Sequence, residues 1–486
     1  MPPLAAGDRV VVIGAGPAGL TLAYLLAKQG VPVTVLEGSD TVGGISQTAR
    51  YNGYRFDIGG HRFFTKIAPV RALWEELLGD EMIDVPRLSR ILYAGKFFDY
   101  PLKPLNALLG LGLIDSVHIV ASYTKSWLTR NGAEDTFEQW VVNRFGRRLY
   151  EIFFRTYTEK VWGIPCTEIR AEWAAQRIRG LSLARAILSA SPLQRRFAGI
   201  TSLIDTFKYP RLGPGQMWEA CRDRIIEAGG EIRFRHQVEG VEVVQGRAVA
   251  VMASHAGESV RVAAEHVVSS TDLRTLVHAL GDAVPASARV AADGLRYRDF
   301  LVVALILEGE GFFADNWIYV HTPGVRVGRV QNFNNWSPEM VPEPGRTCLG
   351  MEYFCFEGDG LWSASDAELV GLATQELQML GLAQGAPVVD ATVVRMRKAY
   401  PVYDAPYRAH LAMVRNALDG IPNLHTIGRN GMHKYNNQDH SMYTAMLTVD
   451  NMLGLAEHDV WAVNTDLDYH EEQRYQGGAR DGAPAG

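Results

Sequence analysis

The stretch from Arg9 to Glu37 restricts this chain to a small set of folds. A β-branched run, Arg9 to Ile13, enters Gly14-Ala15-Gly16-Pro17-Ala18-Gly19, and a helix-forming stretch from Leu20 to Gln29 follows at once. A second apolar run, Val31 to Leu36, then ends on Glu37. Strand, tight turn, helix and strand in that order make a βαβ unit whose first turn suits a dinucleotide. Gly14 turns the chain, Gly16 lets backbone N–H groups approach a pyrophosphate, and Gly19 lets the helix pack on the strand. Glu37 stands about 20 residues beyond the turn, where a carboxylate accepts ribose hydroxyls. The expected fold is α/β with a Rossmann-like parallel sheet.

The remaining composition mostly excludes. At 486 residues, 47% hydrophobic and 21% charged, the chain is too long for one core and too ordered in composition for a disordered protein. A net charge of −6 with scattered Lys and Arg gives no phosphate-neutralising run, so nucleic acid is not an expected partner. Cys166, Cys221, Cys348 and Cys355 form no CxxC pair, which fits a reducing cytoplasm and no zinc site. No G-x-S-x-G elbow, HExxH or EF-hand loop is present, so neither hydrolytic nor metal chemistry is expected. The opening MPPLAAGDRV does not read as a secretory leader. The most apolar later stretch, Leu105 to Tyr123, carries Asp115 and His118, which predicts a buried or surface-lying helix with no integral membrane span.

After Glu37 a second glycine pair, Gly43-Gly44, precedes Ile45-Ser46, and Phe56-Asp57-Ile58-Gly59-Gly60-His61 follows. In these motifs the chain resembles the FAD-dependent amine oxidase and protoporphyrinogen oxidase superfamily. Further segments resemble the UDP-galactopyranose mutases within it: Phe154 to Gly163, Trp173 with Arg177, Tyr209 to Trp218, Tyr400-Pro401, Gly428 to Gly431, and Asn437 to Ser441. The resemblance implies a discontinuous FAD domain from 1–80, 205–270 and 421–465. It also implies a helical substrate or lid domain at 81–204 and a mixed or antiparallel sheet domain at 271–420. The Gly/Ala/Pro-rich 475–486 reads as a disordered tail.

Residue by residue, the resemblance implies FAD contacts from Gly14, Gly16, Gly19, Glu37, Gly43, Gly44, Ser46, Gly60, His61, Val238, Arg429, Asn437, Gln438 and Ser441. It implies substrate contacts from Tyr100, Trp162, Arg177, Tyr319, Arg329, Tyr400 and Tyr435. His61, Arg177 and Arg329 are the catalytic candidates; His61 follows two glycines and is expected to position the flavin, with acid/base work as the lesser role. The two arginines offer planar forks to a diphosphate, and the tyrosines donate hydroxyls without adding charge.

The implied activity is a redox-neutral pyranose/furanose isomerisation of a nucleoside-diphosphate sugar. In it N5 of reduced FAD attacks the anomeric carbon, with NAD(P)H as the expected reductant. Neither the base nor the sugar is implied, and a homo-oligomer is an open expectation. The alternative is an FAD-dependent oxidoreductase acting on an amine, a porphyrinogen or a polyene. An apolar substrate would not call for Arg177 and Arg329 beside the ring. A flavin-binding protein without catalysis is the third reading, and the intact glycine motifs with the arginines argue against it.

Overall fold

The computed structural model describes residues 3–102, 104–129, 132, 134–171, 201–203, 206–464 and 472–474. The fold is α/β, as expected. A five-stranded parallel sheet runs in the order Glu231–Arg233, Val33–Leu36, Val10–Ile13, His266–Ser269, Leu424–Thr426. Its strands come from widely separated parts of the chain. Because side chains alternate across a strand, a sheet buried on both faces needs a continuous apolar run, and VVVI at 10–13 supplies it. Val10 and Val12 pack with Leu20, Leu22 and Leu26 of the helix Pro17–Lys28, while Val11 and Ile13 face the opposite layer with Val251 and Leu276. That layer is a three-stranded antiparallel sheet, Gln237–Val244, Arg247–His255 and Glu258–Ala263, together with the helix Leu273–Leu280.

A seven-stranded mixed sheet stands beyond it, in the order Val388–Pro401, Tyr297–Glu308, Arg346–Cys355, Arg329–Asn332, Trp317–Val320, Ser89–Tyr93, Lys96–Asp99. The long strand at 297–308 divides by the same alternation. Phe300, Val302, Ala304 and Ile306 enter the core shared with the helices at 137–162, and Leu301, Val303, Leu305 and Leu307 enter the core under the helix Asp366–Met379.

The stretch 81–204, expected to be mostly helical, opens with strands. Met82–Pro86 pairs with Thr206–Pro210, and Ser89–Tyr93 and Lys96–Asp99 form a hairpin on the edge of the large sheet. Its turn is Ala94-Gly95, with φ of 48° and 73°. Both central residues of this turn take positive φ, which glycine adopts freely and alanine does not, so the residue at 94 does not announce the hairpin. Helices follow at Pro104–Leu111, Leu113–Leu128, Phe137–Phe145 and Thr156–Trp162. Among the described residues no helix is long and apolar enough to cross a membrane.

Candidate active site

The carboxyl ends of the parallel strands open into a cleft of about 360 Å³, within the size range of ligand pockets. Gly14, at φ 98°, turns the chain out of the first strand. A side chain on Gly19 would sit 2.0 Å from the Gly14 carbonyl oxygen, so only glycine lets the helix approach this turn. The helix N-terminus therefore points its unpaired N–H groups into the cleft. Glu37 accepts the Ala15 N–H at 2.7 Å and the Ser39 N–H at 2.9 Å, which fixes its carboxylate on the cleft wall. Gly44 brings a second backbone segment to the first loop: its Cβ would lie 3.3 Å from the Gly16 Cα. The Gly43 N–H donates to the Ala15 carbonyl at 2.8 Å to hold it there.

The other wall is the loop from Gly428 into the helix Gln438–Met452, whose first turn is closed by Asn437 and His440 capping one another. The Ser46 hydroxyl donates to Gln438 Oε1 at 2.9 Å and so joins the two walls. Two buried polar atoms on this side, Gln438 Nε2 and Asn430 Oδ1, have no hydrogen-bond partner among the described residues. Buried polar groups are paired in nearly all folded proteins. A polar ligand in the cleft would satisfy both, and an extended dinucleotide has donors and acceptors along its length. The residues thus fit FAD.

His61 also lines the cleft. Its Nδ1 lies 3.0 Å from the Gly59 carbonyl oxygen, and burial, reinforced by the positive Arg429 and Arg329, pushes the imidazole down to about 3. It is a neutral ring near pH 7, held by its own loop, which suits packing against a cofactor more than moving protons. Arg429 is equally fixed. Its Nε donates to the Asn436 carbonyl at 2.8 Å and Nη1 to the Ala399 carbonyl at 2.9 Å.

From Arg429 a chamber of aromatic rings and charge leads into the large sheet. The guanidinium lies 5.4 Å from the Tyr400 ring and 4.8 Å from the Tyr435 ring, and those two rings stack at 5.6 Å. Trp162 backs Tyr435 at 6.0 Å. Tyr319 joins Tyr100 at 4.2 Å and Tyr157 at 5.6 Å. Tyr157 and Trp162 are set by their helix, which Lys160 pins to the sheet through the carbonyls of Val320, Thr322 and Val327. Burial lowers that ammonium to about 8. Burial also holds the Tyr157 and Tyr400 hydroxyls above the ordinary tyrosine value, so both remain neutral donors.

Arg329 joins this chamber with a partner the sequence did not reveal. Its Nη2 donates to the Tyr400 hydroxyl at 3.0 Å, while its Nε is paired with Glu352, directly opposite on the neighbouring antiparallel strand. Gln331, two residues along the same face, donates to the other Glu352 oxygen at 2.5 Å. Burial raises the Glu352 carboxyl and the guanidinium pulls it back; an arginine stays protonated near neutral pH, so the pair is charged. Arg329 thus reaches the chamber with its charge already balanced.

Of the expected cofactor residues, Gly14, Gly16, Glu37, Gly44, Ser46, His61, Val238, Arg429, Gln438 and Ser441 line one cleft. Gly19, Gly43, Gly60 and Asn437 stand behind it, allowing close approach or capping a helix; a side chain on Gly60 would meet Trp317 at 2.9 Å. Of the expected substrate residues, Tyr100, Trp162, Tyr319, Arg329, Tyr400 and Tyr435 cluster in the chamber. Arg177 lies outside the described residues, as do Trp173 and the tail at 475–486. Sequence reasoning missed His236, Gln237, Ser270, Thr271 and Asn430 on the cleft wall. Ser270 and Thr271 directly follow a parallel strand, and that position was the signal available for them.

A model of the flavin containing amine oxidoreductase family matches residues 17–436 of this chain. A solved structure of a reduced UDP-galactopyranose mutase shares the fold with a TM-score of 0.81 at 22% identity, over 94% of this chain and 97% of that one. A probable UDP-galactopyranose mutase of Klebsiella pneumoniae is 26% identical over 173 residues, 34% of this chain and 43% of that protein. An L-amino-acid oxidase of Crotalus adamanteus is 49% identical over only 63 residues, 13% of this chain. The chain matches about an eighth of that oxidase's length, 12%, and less than half of the Klebsiella protein.

Proposed function

This chain belongs to the flavin containing amine oxidoreductase family, and from that membership we propose that it isomerises the sugar ring of a nucleoside-diphosphate sugar between pyranose and furanose forms. The observation that carries the reading is the chamber itself. Beside the place a flavin ring would occupy stand two half-buried arginines, one of them paired with Glu352, and a set of tyrosines, a lining suited to a polar, anionic substrate. An apolar polyene would have no use for it.

FAD would be held by the two glycine loops, by Glu37 on the ribose side and by Ser46, Gln438 and Asn430 along its length. Bound and reduced by a nicotinamide, it would supply the nucleophile, at N5, for the anomeric carbon. The chain's own work is electrostatic and positional. Arg429 and the Arg329–Tyr400 pair keep the departing diphosphate within reach, which matters because it must be recaptured by the same carbon. Tyr435, Tyr319 and Tyr157 donate to sugar and phosphate oxygens. His61, neutral and pinned, orients the ring. The four cysteines are free and buried, which suits a reducing cytoplasm.

The test is direct. Purified yellow protein, reduced with dithionite or NADPH, is incubated with a panel of nucleoside-diphosphate pyranoses, UDP-galactose first, and products are separated by anion-exchange chromatography. A furanose product formed by the reduced protein and not by the oxidised one supports the proposal. A second reading, net amine oxidation, draws on the family and on the stretch shared with L-amino-acid oxidases. Hydrogen peroxide released from amino acids or amines, with no furanose formed, would replace the first reading by the second.

A further inference from the structure

The loop His321 to Gly328 joins the strand that carries Tyr319 to the strand that opens on Arg329. It thus stands between two residues of the chamber, and helices on opposite faces of the large sheet grip it. From the face shared with Trp162 comes Lys160, whose Nζ donates to the carbonyls of Val320, Thr322 and Val327 at 3.1–3.3 Å. From the face under the helix Asp366–Met379 comes Glu376, which is 3% exposed. Its carboxylate accepts the N–H groups of Arg326 and Val327, the latter at 2.9 Å, and the Tyr353 hydroxyl at 3.2 Å. Val327 therefore meets the ammonium at its carbonyl and the carboxylate at its N–H. Among the described residues neither charged group forms a direct ion pair; hydrogen bonds alone meet them. Burying a charge without a direct counter-ion is costly, and apolar side chains would pack these helices more cheaply. What only the charges supply is a strong, directional hold on backbone.

The loop in turn sets Tyr157. His321, its first residue, lies flat on the Tyr157 ring at 4.6 Å and 2°, and Tyr157 meets Tyr319 edge-on at 5.6 Å. Tyr157 and Lys160 stand three residues apart on one helix and so on one side of it. The ammonium therefore fixes both the ring and the surface it stacks on. Burial lowers that ammonium to about 8 while the Glu376 charge draws it upward, so the two groups act on one another across the peptide between them. We propose that Lys160 and Glu376 are one positioning unit for the substrate site: together they hold the loop that places Tyr157, Tyr319 and Arg329 around a nucleoside diphosphate. This rests on the nucleotide-sugar reading of the chamber. Because the loop is gripped from both sides, losing either charge releases it, and losing the second adds little.

Titration of the full-length holoprotein with UDP tests this, comparing Lys160→Met, Glu376→Gln and the double variant at equal flavin-to-protein ratio. Each single change is expected to weaken UDP binding about tenfold, within what a misplaced site costs. The double change is expected to do no more than the larger single one. Lys160→Arg, which keeps the charge, should stay nearer the wild type than Lys160→Met. Folded, flavin-loaded variants that bind UDP like the wild type would leave both residues merely structural and overturn the proposal. Effects that multiply in the double variant would overturn the single unit. Hydrogen exchange read by mass spectrometry without nucleotide separates this outcome from the function itself: residues 156–163 and 320–328 should exchange faster in both single variants. A wild type that binds no nucleoside diphosphate defeats the isomerase reading, whereas unchanged exchange in those two segments defeats the positioning unit. Should Lys160→Met not fold, Glu376→Gln, which keeps the shape, decides by the same two measurements.

Discussion

Replacing Glu352 by Gln isolates the buried pair beneath the chamber. Glu352 is 1% exposed and Arg329 16% exposed, so solvent does little to screen them. Two unit charges about 4 Å apart at an effective dielectric near 20 attract by about 4 kcal/mol. Breaking one partner of a buried pair typically costs about 3–5 kcal/mol, since the survivor stays buried and unbalanced. Glutamine keeps the shape and one acceptor, so the expected loss is near the lower end, about 3 kcal/mol, or about two decades in the folding equilibrium. Urea unfolding of the holoprotein reads it. The same change frees the Arg329 guanidinium, so UDP should bind more tightly, by about 1.4 kcal/mol or tenfold, in a fluorescence titration. Stability and affinity thus move in opposite directions. A stability loss under about 1 kcal/mol would refute a charged buried pair, and a folded variant that no longer binds UDP would show that Glu352 is itself a ligand.

Gly19→Ala puts a methyl 2.0 Å from the Gly14 carbonyl oxygen, which is backbone and cannot move aside, and 3.2 Å from the Val12 side chain. Overpacking of this kind costs about 1–3 kcal/mol, and the variant should purify with a clearly reduced ratio of flavin to protein absorbance. Tyr400→Phe removes the hydroxyl bound to Arg329 at 3.0 Å; KM for the sugar nucleotide should rise several-fold to about tenfold while FAD content holds, and a loss of FAD would misplace the residue. Asp57 gives a pH prediction. Burial raises its carboxyl to about 8, against hydrogen bonds from Tyr209 at 2.5 Å and Thr48 at 3.3 Å. A carboxyl with a raised folded value favours the folded state fully only below its unfolded value. Its contribution should therefore drain away between pH about 4 and about 8, and Asp57→Asn should flatten that part of the stability profile measured by urea unfolding.

The dinucleotide end was legible because its demands are local. Gly14, Gly16, Gly19 and Glu37 fall within one βαβ unit, where Gly14 takes a positive φ and Gly19 a backbone approach that any Cβ would block. The same holds for Gly43-Gly44. The alternating burial of Val10 to Ile13 was likewise written in residue type. The hairpin at 89–99 was equally local, but its turn places Ala94 at a positive φ that alanine rarely adopts, so residue type did not mark it.

What the tertiary structure decided was pairing across distance. Arg329 meets Glu352 because two antiparallel strands settle in one register, and nothing within either strand specifies that register except the packing of both faces. The lone carboxylate in the apolar run Thr347 to Cys355 marked a buried charge in need of a partner, without naming it. The exposed apolar side chains of Leu113–Leu128 could not be told from the core-packed Ile119 of the same helix by residue type, which records that a side chain is hydrophobic and not which way it points. Orientation came from the ion pair of Asp115 with Arg148, a contact 33 residues apart in the chain. Sequence determines which conformations a segment can adopt; only the packed chain determines which charges meet.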